Sequence, residues 1–400
     1  MSEDFLHGLE VLEIDDGSRT ITTVKMSVIG IVGTAPDADA DKFPLNTPVM
    51  VAGNRTKAAY LDTVGDGNGT LPNAMDAIFD QIGAAVIVVR VEEGADDNAT
   101  MTNIVGGTDT DGNYTGMYAL LGAQSAVGYK PRIMCVPGYT HQREYDEDNS
   151  TYLANPVAAE LLSIAEQLRA VVIVDGPNST DDAAVSAIGD FGSGRIYMVD
   201  PWVKVYRNGS YVNEPASPRV AGGIAKMDNK KGFWWSPSNQ VINGISGVAR
   251  SVDFTMGDAN CRANLLNEQN IATIIYEDGY RLWGNRTPST DSRYKFLCVR
   301  RTADAIMDSI QTNHLWAVDR PITRTYADDV AEGVCKYLRT LKTKDAILGG
   351  SCWVNKELST SDNIPDGKIY WDYDFCPTYP AERMVFRSRL NTDYIEEVFD

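Results

Sequence analysis

Asp278-Gly279-Tyr280-Arg281-Leu282-Trp283-Gly284-Asn285-Arg286-Thr287, followed after a short polar gap by Tyr294-Lys295-Phe296-Leu297-Cys298-Val299-Arg300-Arg301-Thr302-Ala303-Asp304-Ala305-Ile306-Met307-Asp308, reads as a hairpin feeding a helix. Asp278-Gly279 is a turn dipeptide. The residues around Tyr280 and Leu282 form a strand ending at Trp283-Gly284, and a second strand is expected over Lys295–Val299. Arg300-Arg301-Thr302 then leads into an amphipathic helix with Ile306, Met307 and Ile310 on one side. Nothing in this pattern has the composition of a catalytic centre.

Upstream, apolar runs at Val28–Val32, Ala85–Val91, Ile133–Val136, Val171–Val174 and Ile196–Val199 suit strands buried on both faces, as in a parallel sheet. Helical segments lie between them: Pro72–Ile82, Tyr118–Val127, Pro156–Ala170 and Thr180–Ile188. Pro72 and Pro156 suit first-turn positions, and Thr180 supplies a cap before two aspartates. Alternation of this kind implies a three-layer α/β domain. Trp202–Val212, with Asn208-Gly209 near its end, is a hairpin. Downstream, a smaller α+β domain contains a helix over Ala327–Leu341, whose Val330, Val334, Tyr337, Leu338 and Leu341 form one stripe. Asp328 and Asp329 are placed in its first turn. Lys336, Arg339 and Lys342 lie along one flank, and Lys344 follows. Lys368–Phe375 alternates as a half-buried strand. A last strand is expected with Met384, Phe386 and Leu390 on one face and Arg383, Arg387 and Arg389 on the other. A short strand over Gly8–Ile14, carrying Leu9, Val11, Leu12 and Ile14, has little beside it in sequence to pair with. It must dock on a sheet edge, its own or a neighbour's.

Bulk properties narrow the function. The 400 residues are 43% hydrophobic and 23% charged, the composition of an ordinary folded chain with room for two or three domains. A net charge of −19 argues against a nucleic-acid partner, because phosphate binding needs a basic footprint. No apolar run reaches the ~18 residues of a membrane span, so no membrane insertion is expected. The N-terminus has no basic stretch ahead of an apolar one, so no secretory signal is expected. The six cysteines are scattered without a C-x-x-C pair, which favours buried free thiols over disulfides or a metal site.

Apparent catalytic motifs fail on spacing. Gly30-Ile31-Val32-Gly33-Thr34-Ala35-Pro36 follows a strand, but its glycines are spaced G-x-x-G, so a tight turn is the simpler reading. Phe191-Gly192-Ser193-Gly194 precedes a strand rather than a helix. The three histidines, His7, His141 and His314, stand in unrelated contexts, and no serine–histidine–carboxylate set is legible. Asp175, at a strand end, reads as a turn or cap residue. Asp66-Gly67-Asn68-Gly69-Thr70 begins like a calcium loop, but its twelfth position is Ala77 rather than glutamate, so a helix cap is expected instead.

The opening block closely resembles the WGNRT … vRRTAD signature of contractile tail sheath proteins, found in phages and in phage-tail-like particles such as R-type pyocins. Its carriers here are Trp283, Gly284, Asn285, Arg286, Thr287, Arg300 and Arg301. Further similar blocks are Val11–Pro36, Thr70-Leu71-Pro72-Asn73-Ala74, Ser236-Pro237-Ser238-Asn239 and Leu265-Leu266-Asn267. The resemblance implies an N-terminal arm (1–22), an outer α/β domain of subtilisin-like fold (23–263), an inner C-terminal domain (264–380) and a C-terminal arm (381–400). It also implies a homo-oligomer of stacked hexameric rings around an inner tail tube, with baseplate and tail terminator proteins as further partners. Assembly would occur in the bacterial cytoplasm, within a virion tail or a released tail-like particle. On that reading the arm strands pair with neighbouring subunits, the basic flank at Lys336–Lys344 meets the tube, and no cofactor is needed. The competing expectation is an α/β hydrolase-like or nucleotide-binding enzyme with an appended domain, which requires a pocket with a nucleophile or a phosphate loop.

Overall fold

A computed structural model describes residues 20–392 and Tyr394. Its centre is a nine-stranded sheet. The strands are β1 (Ile29–Thr34), β2 (Pro48–Ala52), β3 (Ala85–Val91), β4 (Ile133–Cys135), β5 (Val171–Asp175) and β6 (Ile196–Val199). The hairpin β7 (Val203–Arg207) and β8 (Ser210–Glu214) stands apart from it. After that come β9 (Gln240–Val241), β10 (Ile271–Tyr276) and β11 (Tyr280–Trp283). The order across the sheet is β9-β11-β10-β6-β5-β4-β1-β3-β2. The run from β3 to β10 is parallel, and antiparallel strands close both edges.

Both faces of that sheet are buried because its strands are apolar at odd and even positions alike. Ile29, Ile31, Val86, Val88, Val171 and Ile173 point into one core, covered by α1 (Leu71–Phe79) and by a long helix over Ser217–Lys230. Val32, Ile87, Val89, Val172 and Val174 point into the other. That second core is covered by α2 (Asp97–Val105), α3 (Pro156–Leu168) and α4 (Asp181–Ile188). Thr180 caps α4 through the Ala183 amide, as its sequence position suggests. We number the Ser217–Lys230 helix α5 and the short Arg262–Glu268 helix α6. The segment read as one helix over Tyr118–Val127 is split: a 3₁₀ stretch, Gly116–Gly122, precedes a short α-helix, Ala123–Val127.

Gly30 and Gly33 lie inside β1, not in a tight turn. A Cβ on Gly30 would stand 2.7 Å from the Pro131 side chain, and one on Gly33 would stand 2.3 Å from the Thr70 hydroxyl. Close approach, rather than backbone conformation, is why glycine sits there. Asn208 and Gly209 both take positive φ, which gives the β7–β8 turn the twist a two-residue hairpin needs.

The smaller C-terminal unit packs α7 (Leu297–Asn313) and α8 (Arg324–Thr343) against an antiparallel hairpin of β12 (Ile347–Val354) and β13 (Trp371–Pro377). Its core also takes Ile21 and Met26 from the start of the described chain and Phe233 from the loop after α5. Asn313 and Ser309 on α7 bond the backbone of Thr22 and Val24, so this segment is strapped to the smaller unit before it enters β1.

Three further sequence-based expectations are corrected. The strand over Lys295–Val299 is replaced by a single bridge, Arg286 to Phe296, and α7 begins at Leu297. Phe296–Val299 is buried on all sides, and a fully buried run does not distinguish strand from helix. The domain boundary at 263/264 is also displaced: β10 and β11 belong to the large sheet, which ends at Trp283. Helix α8 begins at Arg324 under a Thr323 cap, so Asp328 and Asp329 fall in its second turn. Residues 383–390 are exposed and form no strand within the single chain. The Gly8–Ile14 strand, with Leu9, Val11, Leu12 and Ile14, lies outside the described residues.

Candidate assembly surface

The signature block is the corner where the large sheet hands over to the smaller unit. Trp283 closes β11 and packs edge-on against Phe254, with ring centroids 4.9 Å apart. Gly284 takes a φ of 138°, and a Cβ there would lie 2.8 Å from the Ala272 backbone, so only glycine fits the turn. Its carbonyl accepts the Tyr197 hydroxyl at 2.6 Å. Asn285 accepts the Leu297 amide and so fixes the first turn of α7. Thr287 is buried and donates to the Tyr294 carbonyl at 3.0 Å. Arg286 makes a two-pronged pair with Glu382, at 2.6 and 2.8 Å. The block therefore has an architectural role, and it reaches forward to the residue at which the C-terminal segment leaves the body.

Helix α7 carries the second half of the signature and forms a buried ionic seam. Arg301 is 2% exposed, pairs with Asp228 of α5 and donates to the Met26 carbonyl at 3.0 Å. Burial pushes the Asp228 carboxyl up, opposed by the Arg301 charge. One turn on, Asp304 holds Arg195 through both oxygens and also takes Arg300. One turn further, Asp308 pairs with Arg132 and Arg169. Arg132, Arg169 and Arg195 stand just before β4, just after α3 and just before β6, so the amino-terminal edge of the parallel sheet is clamped to one face of α7. Sequence reading singled out Arg300 and Arg301 but missed Asp304, Asp308 and their partners. The i, i+4 spacing of the two aspartates was the available signal.

The basic flank on α8 is present and solvent-facing. Lys336, Arg339, Lys342 and Lys344 are all exposed, and Arg339 pairs with Glu332 two turns earlier. Arg324, Asp328, Asp329 and Glu332 make the first half of the helix mixed in sign, so the positive character is confined to its C-terminal half. The C-terminal segment is anchored at three points. Thr378 donates to Ala346, Tyr379 packs against Phe296, and Glu382 binds Arg286. Beyond that anchor Met384 is 73% exposed, Phe386 90%, and Leu390 is wholly in solvent.

At the opposite, carboxyl-terminal edge of the parallel strands, Asp175 is fully buried. It accepts the Ser217 hydroxyl at 2.6 Å and the Ser217 amide at 2.8 Å. His141 packs on Trp202 instead of approaching that pair. Ser217 is itself 0% exposed, so the pair fixes α5 to β5 and offers no nucleophile to solvent. Among the described residues, no group of histidine, cysteine and carboxylate side chains could hold a metal, and no helix is long and apolar enough to cross a membrane.

Burial pushes the Asp175 carboxyl up to about 6, against the lowering effect of the Ser217 hydrogen bonds; the Asp200 charge adds to the rise. A carboxyl whose folded value exceeds its unfolded value of ~3.9 binds its proton more tightly when folded. Its contribution is therefore present in acid and is lost as pH rises through 6. Asp175→Asn, which keeps an acceptor for the Ser217 amide, should flatten the decline in stability between pH 4 and 7 by on the order of 2–3 kcal/mol. Urea melts of both proteins across that range check this; identical slopes would show that Asp175 does not titrate there.

Two family models match the chain: the phage tail sheath protein central domain over residues 112–288, and the phage tail sheath C-terminal domain over residues 289–391. Their junction falls just after the signature corner, close to where the large sheet ends. A prophage-encoded relative in Pseudomonas aeruginosa (strain UCBPP-PA14), named as a major tail sheath protein, is 41% identical over 399 residues and covers 99% of each chain. The tail sheath protein of Escherichia phage P2 is 35% identical over 403 residues, covering 98% of this chain and 97% of its own. Among solved structures, the contracted helical sheath of the anti-feeding prophage shares the fold, with a TM-score of 0.71 at 21% identity over 96% of this chain and 99% of that one. With both domain models in register and full-length relatives above 30% identity, this chain belongs to the phage tail sheath protein family.

Proposed function

We propose that the chain is the structural subunit of a contractile tail sheath. It polymerises as stacked hexameric rings around an inner tail tube and shortens to drive that tube through a target cell envelope. The observation that carries this reading, beside full-length membership of the family, is the segment after Glu382. It presents Met384, Phe386 and Leu390 to water and is tethered at its root by Arg286. Apolar residues alternating with Arg383, Arg387 and Arg389 suit a strand completed on another copy, where backbone pairing gives affinity and side-chain pockets give register. The N-terminal residues Leu9, Val11, Leu12 and Ile14, apolar positions in a short strand-forming stretch, are assigned the same use. A sheath made this way works by exchanging contacts and needs no catalytic turnover.

In this arrangement the acidic α/β unit, of subtilisin-like kinship, faces outward, and the smaller unit faces the tube. Baseplate and tail terminator proteins bound the two ends of the polymer. Assembly takes place in the bacterial cytoplasm, and the product is a virion tail or a released tail-like particle. Lys336, Arg339, Lys342 and Lys344 are assigned to an acidic tube surface. Exposed charges at this spacing are screened over ~10 Å at 0.1 M salt, so the contact registers subunits without locking them. Lys336→Glu combined with Lys342→Glu should cut the yield of sheathed tubes by about tenfold at that ionic strength while leaving the melting transition in place. Negative-stain imaging of co-expressed sheath and tube reads the outcome. Normal sheathed particles would overturn the tube contact, and a small monodisperse oligomer from the unaltered chain would overturn the sheath itself.

A further inference from the structure

Of the six cysteines, four are set aside and two lie together. Cys135, Cys261 and Cys298 are buried singly in apolar cores, and Cys376 is exposed. Cys335 on α8 and Cys352 on β12 are different. The Cys335 sulfur accepts the Cys352 amide at 3.2 Å and donates to the Cys352 carbonyl at 3.4 Å. It therefore rests against the backbone of the very residue that carries the second thiol. Both residues line a cleft of about 860 Å³ that opens to solvent beside Asp328, Glu332 and Asp372. Cys335 is partly exposed and Cys352 is 9% exposed.

We propose that Cys335 and Cys352 are an oxidisable pair that a neutral peroxide converts into an intramolecular disulfide tying α8 to β12. The steps balance. The Cys335 thiol, deprotonated, attacks one oxygen of hydrogen peroxide, which leaves a sulfenic acid and one water. The Cys352 sulfur then attacks that sulfenic sulfur, the S–S bond forms, and its proton leaves with the displaced hydroxide as a second water. Two thiols and one peroxide become one disulfide and two waters. The division of roles follows the surroundings. Burial, the neighbouring Cys335 and the Asp372 charge push the Cys352 thiol up to about 11, so it stays protonated. The Cys335 sulfur receives an N–H donor and reaches the cleft, which favours it as the attacking group. Asp328, Glu332 and Asp372 repel anionic disulfides at the mouth, so an uncharged oxidant is the fitting co-reactant.

The consequence is mechanical. The bond would close the connection that runs from α8 through the Lys344 turn to β12, and would hold the two elements of the smaller unit in one relation. The test uses the full chain bearing Cys376→Ser, which removes the exposed competing thiol. It is treated with hydrogen peroxide, alkylated, digested without reduction and read by mass spectrometry. A peptide pair joined through Cys335 and Cys352, two hydrogens lighter than the sum of its parts, is expected. An upward shift of several degrees in the melting midpoint, reversed by dithiothreitol, should accompany it. In the same background Cys352→Ala should leave sulfenic acid on Cys335, trapped by dimedone about tenfold more than in the parent. A free, unmodified Cys335 after peroxide, or one carried to sulfinic acid without the cross-link, would overturn the pair and leave Cys335 as a cap on the edge of β12.

Discussion

Replacing Asp308 by alanine should destabilise the chain by about 3–5 kcal/mol, one of the largest losses available from a single side chain here. Asp308 is 4% exposed and so is Arg132, one of the two guanidinium groups it serves. Burial lowers the Arg132 pKa, and the Asp308 and Asp304 charges work against that lowering. With the carboxylate gone, Arg132 keeps only the Leu168 carbonyl at 2.6 Å, which satisfies a hydrogen bond but not a charge. Arg169, a third exposed, can turn to water, so the cost falls on Arg132. The double change Arg132→Met with Asp308→Leu should recover most of the loss, because removing both charges also removes the desolvation penalty. Exposed Arg324 and Asp328 serve as the control pair, and Asp328→Ala should leave the urea midpoint where it was. Equilibrium urea melts of the four proteins decide the matter. An Asp308→Ala midpoint within error of the parent would mean that water reaches the seam, and that α7 is held to the sheet by packing alone.

That seam also shows how far the sequence can be read. Strands buried on both faces, the helices between them other than Tyr118–Val127, the Thr180 cap and the Asn208-Gly209 hairpin follow from local chemistry, and each is found where periodicity and turn residues place it. Which charges meet is not local. Arg195 and Asp304 are 109 residues apart, and Arg169 and Asp308 are 139 apart. In an acidic chain no pattern along the sequence selects those partners from the rest. Phe296–Val299 misled for a related reason: a run packed on every side has lost the periodicity by which helix and strand are told apart. The α/β boundary slipped because β10 and β11 return to the large sheet by way of β6, a pairing fixed by tertiary contact and invisible in composition. Trp283, Gly284, Arg286 and Arg301 were legible as a motif, but their work as a corner and a clamp needed coordinates.

A chain ending at Glu382 should fold as the full chain does and fail to polymerise. Stopping there keeps the Arg286–Glu382 pair and removes a segment whose described residues are all exposed. The folded body loses little because Met384, Phe386 and Leu390 contribute almost nothing to its core. Burying those side chains on a neighbour would yield roughly 1.5–3 kcal/mol each. Ordering the eight or so residues that carry them costs about 1–2 kcal/mol per residue. The ordering cost exceeds the burial gain, so one such arm on one neighbour is a weak link that depends on backbone pairing. A cylinder in which every subunit both gives and receives an arm is different: once one contact holds, the next is intramolecular and its effective concentration is high. Loss of the arm should therefore act cooperatively, and cylinders seen by negative stain should fall by at least about tenfold while the melting midpoint stays within a degree or two. Phe386→Asp with Leu390→Asp in the full chain gives the same reading without shortening it, since both side chains stand almost wholly in solvent. Cylinders of normal length from both proteins would show that copies are joined through their folded surfaces, and that the segment after Glu382 is not what lets the polymer shorten while staying in one piece.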